Sequence, residues 1–157
     1  MEGKTARESQ VIVSQMMMPQ DTNPAGNVHG GVIMKLIDTA GGLVANRHTR
    51  SNTVTASIDR LDFHFPVFVG DLVTFKACLN LTGITSMEVG VRVEAENVFT
   101  GEVRHTASAY LTFVALDKDG KPRPVPPLIL ETEDDKRRNR EAQARKQARV
   151  REKKTES

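Results

Sequence analysis

The sequence predicts an α+β fold in which an antiparallel sheet of five to six strands wraps around one long helix. Before residue 130, only the segment from about 29 to 47 shows the apolar spacing of an amphipathic helix. The later segments alternate apolar and polar residues with the period of a strand. Short turns rich in Gly, Pro, Asn and Asp join them, which favours antiparallel pairing. Because one helix cannot cover a flat sheet of this size, the sheet must curl.

The first strand is predicted over residues 11–18, and a loop containing Pro, Asp, Asn and Gly follows it. The helix has two different faces. The face predicted to pack on the sheet consists of Val32, Ile33, Leu36, Ile37, Ala40, Leu43 and Val44. The opposite face carries Asp38 among Met34, Gly41, Gly42 and Ala45. Small residues allow a backbone or a ligand to approach closely, so this face is predicted to meet a partner or substrate. The alternative is a solvated surface acid beside tolerated glycines.

Four further strands are predicted from their apolar patterns. Residues 87–95, 73–81 and 103–113 keep one phase of alternation throughout. In the segment from 53 to 65 the apolar phase slips, since Val54, Ala56 and Ile58 keep one phase whereas Leu61 and the two phenylalanines after it keep the other. The slip predicts a bulge or sharp bend near Asp59–Arg60.

The 157 residues suit one domain with a tail. We expect a polar, poorly ordered N-terminus over residues 1–10, the domain over residues 11–130, and a charged C-terminal helix or tail over residues 131–157. This tail holds 10 Lys and Arg against 7 Asp and Glu, so the slight basic excess of the chain belongs to it. Thr132 is the predicted N-cap, with acids in the first turn after it and basic residues later.

The remaining composition indicates a cytoplasmic protein. Cys78 is the only cysteine, so no disulfide can form within the chain, which suggests a reducing compartment. No apolar run approaches the roughly 18 residues of a membrane span, and the polar first residues do not resemble a secretory signal. The tail has no aromatic residues and its acids nearly balance its bases, which argues against nucleic-acid binding.

The glycines at the start of the helix point to an anion or oxyanion site. Gly30 and Gly31 follow His29, at a helix N-terminus whose first amides lack helical partners. Such amides favour negative charge and can stabilise an oxyanion during acyl transfer. A Gly pair before a helix is also often only a tight loop, so the pattern alone leaves both interpretations open.

Three motifs in this order resemble the hotdog-fold acyl-CoA thioesterases, most closely the cytosolic long-chain and brain acyl-CoA hydrolases and their bacterial relatives. They are N-x-x-G-N-V-H-G-G-x-I-M-K-L-I-D-x-A-G from Asn23, N-T-V-T-A-S-I-D-R-L-D-F from Asn52 and G-x-T-S-M-E-V-x-V from Gly83. The resemblance covers nearly all of residues 11–130. It implies paired hotdogs with active sites between them, so this single hotdog should form a homodimer, and often a trimer of dimers.

The resemblance also implies roles for individual residues. Asp38 would act as general base or nucleophile, and Asn23 from the paired subunit would orient the water or the substrate. The amide of Gly31, with those of His29 and Gly30 beside it, would stabilise the oxyanion. No metal or other cofactor is implied, because coenzyme A is part of the substrate. His29 could instead be structural, and the four scattered histidines have no metal-ligand spacing.

Three further residues are candidates for contacts with CoA. Thr85 and Ser86 would line the CoA channel by resemblance, although they also fit an ordinary polar turn. Arg60 at the predicted bend, and basic residues of the tail, could meet the CoA phosphates. For the tail, the alternative is a solvated or subunit-bridging helix.

The expected function is therefore hydrolysis of fatty acyl-CoA to free fatty acid and CoA. Two alternatives stay open. One is an acyl-CoA-binding hotdog without catalysis, against which the presence of both Asn23 and Asp38 argues. The other is a dehydratase or hydratase of acyl thioesters, against which the lack of a His-containing F-P-G loop argues.

Overall fold

The computed structural model describes residues 1–156 and contains one long helix against an antiparallel sheet, as the sequence predicts. Its elements, in chain order, are β1 Lys4–Thr5, β2 Val11–Met16, α1 Gly30–Thr49, β3 Asn52–Phe63, β4 Leu72–Thr82, β5 Ser86–Glu96, β6 Val103–Leu116, β7 Leu128–Ile129 and α2 Glu133–Glu156. Single 3-10 turns lie at Ala6–Glu8 and Pro19–Asp21.

The main sheet has the order β2-β4-β5-β6-β3, with every neighbouring pair antiparallel. Helix α1 contacts all five strands, so the inner face of the sheet curves around it. The apolar core lies between them and includes Ile33, Ile37 and Val44 of the helix with Phe75, Leu79, Val89, Val91, Leu111 and Phe113 of the sheet. Strands β2 and β3 form the two edges.

The buried face of α1 differs from the predicted one. Leu43, predicted to face the sheet, is 42% exposed, whereas Gly41 and Ala45, predicted to face away from it, are buried. A Cβ on Gly41 would lie 3.2 Å from the ring of Phe113, so the glycine allows helix and sheet to approach closely. The curved sheet reaches around the helix toward Gly41. The buried face of α1 is therefore rotated toward Gly41 and away from Leu43, relative to the face that the sequence predicts. Gly42 stays half-exposed.

The bend predicted near Asp59–Arg60 is confirmed. The register between β3 and β6 shifts between Asp59 and Asp62, and Arg60 adopts a φ of 48°. This left-handed conformation is uncommon for a residue with a side chain and fits a bulge.

A second register shift, between Thr55 and Ser57, was not predicted. It places Val54 and Ile58 on opposite faces of the sheet, although both belong to the same apparent phase of the sequence. Ile58 lies opposite the buried Leu111 and therefore faces inward. The extra residue is a small alanine, which gives no visible break in the apolar pattern.

Residues 1–10 were expected to be poorly ordered, whereas the structure forms β1 within them. This strand pairs in parallel with β7, with Lys4 opposite Leu128. Ala6 and Ser9 behind it are buried. The pairing joins segments that are 124 positions apart in the sequence, so the polar composition of the first ten residues could not indicate it.

Helix α2 begins where the sequence predicts. The amide of Asp135 donates to Thr132 Oγ1 at 3.0 Å, which makes Thr132 the N-cap. Burial alone would raise the pKa of Asp135, but hydrogen bonds from the amides of Glu131 and Thr132 outweigh it and hold that pKa below its usual value.

The charged helix α2 packs against the outer face of the sheet. Arg145 donates to both carboxylate oxygens of Glu88 on β5 at 2.8 Å, and Arg149 pairs with Asp59 on β3. The Glu88 side chain is 1% exposed, so this pair is buried beneath the helix. Helix α2 is therefore part of the folded body.

Candidate active site

Asp38 lies half-buried in the middle of α1 and faces the edge strand β3. Thr55 Oγ1 on that strand donates to Asp38 Oδ1 at 2.7 Å. One carboxylate oxygen is thereby fixed, and no described side chain or amide donates to the other, Oδ2. A cavity of about 290 Å³ opens beside the carboxylate. It is lined by Asp38, Thr39, Gly42, Leu43, Asn46, Thr53, Thr55 and Phe113.

Two parallel hydrogen bonds hold α1 against β3 at this cavity. Thr53 Oγ1 donates to Asn46 Oδ1 at 2.8 Å, two helical turns beyond the bond between Thr55 and Asp38. Thr53 and Thr55 share one face of the strand because side chains alternate along it. Gly42 lies one turn after Asp38 and has no side chain to fill the space. The cavity therefore follows from an acid and a glycine four residues apart on the helix.

The start of α1 has a cap that the sequence did not reveal. His29 is the N-cap, and its Nδ1 accepts a hydrogen bond from the Gly31 amide at 2.9 Å. The amide that the resemblance assigns to the oxyanion is thus already bonded to a side chain. The Gly30 amide has no hydrogen-bond partner among the described residues. A Cβ on Gly30 would lie 3.8 Å from the ring of Phe63.

Asn23 organises the loop before the helix. Its Oδ1 accepts hydrogen bonds from the amides of Ala25 and Asn27 at 3.0 and 3.2 Å. The side-chain nitrogen is therefore the group that Asn23 can offer to a ligand. Asn23 is not among the residues that line the cavity beside Asp38.

The three candidate CoA contacts lie in two places. Arg60 is exposed and pairs with Asp62 at 3.3 Å. Thr85 and Ser86 form the turn between β4 and β5, and the Thr85 carbonyl accepts from the Ala115 amide at 3.0 Å. Ser86 lies opposite Val114 on β6, and Asp59, beside the bend at Arg60, lies opposite Tyr110. These two positions on β6 are four residues apart, so the two groups of candidate CoA contacts are separated by roughly 13 Å along the strand.

Thr55 is the site residue that sequence reasoning missed. The signal was the alternation in T-V-T-A-S-I, which places Thr53 and Thr55 on the same side of a strand. The pattern could not show that Thr55 contacts Asp38, because that contact depends on which strand of the sheet lies beside this part of the helix.

The fold and the site define a class of protein. The family model of the thioesterase superfamily matches residues 25–100 of this chain. The chain is also 42% identical to an acyl-CoA thioester hydrolase of Bacillus subtilis over 134 residues, which are 85% of this chain and 78% of that protein. The chain therefore belongs to the hotdog-fold thioesterase superfamily.

Within this superfamily the chain is similar to acyl-CoA hydrolases. A hexameric acyl-CoA thioesterase superposes with a TM-score of 0.94 at 40% identity, covering 97% of both chains. The cytosolic acyl coenzyme A thioester hydrolase of Mus musculus is 41% identical over 146 residues, or 92% of this chain. The chain spans only 38% of that mouse protein's length.

An acyl-CoA hydrolase of Staphylococcus aureus, solved with butyryl coenzyme A, coenzyme A and coenzyme A disulfide, is 35% identical. It superposes with a TM-score of 0.86 and covers 97% of this chain and 95% of its own. Variants of that enzyme were solved with one Asp, one Asn or one Thr replaced by Ala. Among the described residues of the present chain, no helix is both long and apolar enough to span a membrane.

Proposed function

We propose that this chain hydrolyses fatty acyl-CoA thioesters to free fatty acid and CoA, with Asp38 as the general base or nucleophile. The observation that carries the proposal is the carboxylate of Asp38, fixed by Thr55 beside a cavity that Gly42 keeps open. The acyl-CoA hydrolases among the relatives and structural neighbours support the same reaction.

The geometry suits a base with one occupied oxygen. Thr55 holds Asp38 Oδ1, so Oδ2 can take a proton from a water that attacks the thioester carbonyl. The C–S bond then breaks, and the proton moves from Asp38 to the departing thiolate. Because a thiolate is a good leaving group, no separate strong acid is required. Direct attack by Asp38 would pass through an anhydride that water hydrolyses, with the same products.

The spacing of three residues supports their roles. In the Staphylococcus aureus hydrolase, the replaced Asn precedes the replaced Asp by 15 positions, and the replaced Thr follows that Asp by 17. In this chain Asn23, Asp38 and Thr55 are separated by the same 15 and 17 positions. We therefore propose that these three residues belong to one catalytic unit.

We further propose a homodimer in which Asn23 of one subunit completes the site around Asp38 of the other. Support comes from the edge strand β3, which leaves one edge unpaired and carries exposed apolar side chains, and so offers a surface for a second subunit. The side chains concerned are Ile58 at 38% and Phe63 at 49% exposure, both on the inner face of the strand. A trimer of such dimers is the proposed assembly, supported by the hexameric structural neighbour.

The remaining roles complete the proposal. The Gly30 amide, together with that of Gly31 if His29 turns away, stabilises the oxyanion. Arg60 and the turn at Thr85 and Ser86 contact CoA. The reaction needs no metal or other cofactor. A cytoplasmic location is supported by the cytosolic name of the mouse relative.

A thiol-release assay with acyl-CoAs of several chain lengths tests the reaction. We expect release by the wild type, and a loss of about 100-fold or more in kcat for Asp38→Ala and Asn23→Ala with unchanged circular dichroism. The matched controls are Asp119→Ala and Asn97→Ala, which replace the same residue types outside the proposed site. No release at any chain length would indicate a binding protein, and full activity of both site variants would refute the residue roles.

A further inference from the structure

A second cavity, of about 390 Å³, lies between helix α2 and the outer face of the sheet. It shares no lining residue with the cavity beside Asp38, which is on the inner face. Its floor is formed by β2, β4, β5 and β6, and α2 forms its roof. Five of its lining residues are the cations Lys76, Arg92, Arg137, Arg138 and Arg145.

The charged groups that line this cavity are mostly cationic. Five Lys and Arg side chains contribute to the lining against the single acid Glu141. Four other acids pair with these cations without lining the cavity: Glu88 with Arg145, Asp135 with Arg138, Asp134 with Arg137, and Glu94 with both Arg92 and Lys76. Burial raises the pKa of the Cys78 thiol, so the thiol stays neutral at pH 7 and adds no negative charge.

Several of these cations keep donors available. A guanidinium has five N–H groups, and an ion pair with one carboxylate uses at most two of them. Arg137 lies 3.6 Å from Asp134 and 3.9 Å from Glu141, contacts too long for strong hydrogen bonds. Arg92 lies 3.2 Å from Glu94, a carboxylate that Lys76 also contacts at 2.7 Å.

Two buried polar atoms in the cavity wall lack a partner. Asn80 is 2% exposed, and its Oδ1 accepts no hydrogen bond although its Nδ2 donates to Glu88. Arg138 Nε donates to no acceptor. Buried polar groups are nearly always hydrogen-bonded, so these two residues keep hydrogen-bonding capacity that the described residues do not use.

The size and arrangement of the cavity favour a phosphate group. A water molecule occupies about 30 Å³ of liquid, so the cavity has room for a larger guest. Arg92 approaches from the sheet, whereas Arg137 and Arg138 approach from the helix. Donors from two sides suit the tetrahedral oxygens of phosphate better than a planar carboxylate. The face of the Tyr110 ring is taken by Arg145 at 3.6 Å, which leaves little space for a stacked base.

We propose that this cavity binds a small phosphorylated molecule. The phosphate contacts Arg92, Arg137 and Arg138. A bound molecule joins α2 to the sheet and therefore stabilises the docked helix. The site is independent of thioester hydrolysis, so its failure and that of the proposed function can be separated.

Isothermal titration calorimetry with sn-glycerol 3-phosphate and with inorganic pyrophosphate tests the proposal. We expect saturable binding at one site per chain, and at least a tenfold weaker affinity for Arg138→Gln and for Arg92→Gln. Arg140→Gln, an exposed arginine on the same helix outside the cavity, is the matched control and should bind as the wild type does. Arg60→Gln should also bind normally, which separates this cavity from the proposed CoA contact.

Two variants on different elements protect the test against misfolding. Arg138 also pairs with Asp135 in α2, whereas Arg92 pairs only with the sheet residue Glu94. Thioester hydrolysis without added phosphate compounds should be unchanged in Arg92→Gln. Absence of saturable binding for both probes, or equal affinities of wild type and both cavity variants, would overturn the proposal.

Discussion

At the scale of single residues, the hydroxyl of Thr55 and the carboxylate of Asp38 form one unit. A charged hydrogen bond of 2.7 Å from a β-branched side chain leaves the carboxylate little rotational freedom. Thr55 itself is held in the sheet, so the orientation of the carboxylate is set by a strand while its position is set by the helix. In the proposed reaction Thr55 is a positioning residue, because it would act through Asp38.

Replacing Thr55 by Val tests this role with little change in shape. Loss of a hydrogen bond to a charged group, worth about 1.5–3 kcal/mol, predicts a fall of roughly 10- to 100-fold in kcat for thioester hydrolysis, with KM little changed. Thr55→Ser should recover most of the rate. Thr53→Val, at the neighbouring bond to Asn46, is the control and should affect kcat far less. An unchanged kcat in Thr55→Val would remove Thr55 from the unit.

The residues of α1 show what the sequence could and could not predict. Asp38 and Gly42 were predicted on the face away from the sheet, and both line the cavity. Gly41 was placed there too, although it packs on Phe113, and Leu43 was placed in the core although it is exposed. A helical wheel assigns a buried face from the hydrophobicity of side chains. Glycine has no side chain and so adds nothing to that assignment, even where its backbone packs closely against the sheet.

At the scale of elements, helix α2 is held mainly by polar contacts. Its composition predicts a helix with a cap at Thr132, and both are present. Which surface it packs on could not be predicted, because few of its residues are apolar and Ala142 alone among them is fully buried. The docking depends on Arg145 meeting an acid on a distant strand, and no periodicity in a sequence reports such a pairing.

The buried ion pair between Arg145 and Glu88 predicts a large loss of stability when only the arginine is removed. In Arg145→Met, the Glu88 carboxylate stays buried without its bidentate partner, and we expect a loss of roughly 3 kcal/mol. Chemical denaturation at one fixed protein concentration measures it. The double variant with Glu88→Gln should recover part of the loss, and the exposed Arg151→Met should cost less than about 0.5 kcal/mol. Equal stabilities of Arg145→Met and wild type would show that α2 does not depend on this pair.

The strands illustrate a similar limit. The bulge at Arg60 was predicted because the apolar phase slips there, and the register confirms it. The shift between Thr55 and Ser57 escaped prediction, since one small extra residue leaves the apparent alternation intact. This second bulge lets Thr55 and Ile58 both face inward. Thr55, which donates a hydrogen bond to Asp38, therefore lies on the same face of β3 as the exposed apolar side chain of Ile58.

At the scale of the whole molecule, the proposed site combines residues of two chains. Asn23 lies before the N-terminus of α1, and Asp38 follows the N-cap by nine residues, about 13 Å along the helix axis. The two residues line no common cavity. The proposal that they act together therefore includes a second chain, with β3 as the edge strand that contacts Asp38. The sequence alone indicates the pair of residues, whereas their positions relative to the cavity are visible only in the fold.

Mixing two inactive variants tests whether the two residues act across a subunit boundary. A dimer of one Asn23→Ala chain and one Asp38→Ala chain has one site with both native residues and one site with neither. Random exchange of equal amounts makes about half of all dimers mixed, so thiol release should recover to about a quarter of the wild-type rate. If Asn23 and Asp38 served the same chain's site, every site would keep one defect and the mixture would stay as inactive as its components. Each variant alone, taken through the same exchange, is the control, and recovery in the mixture only would show that two chains build each site.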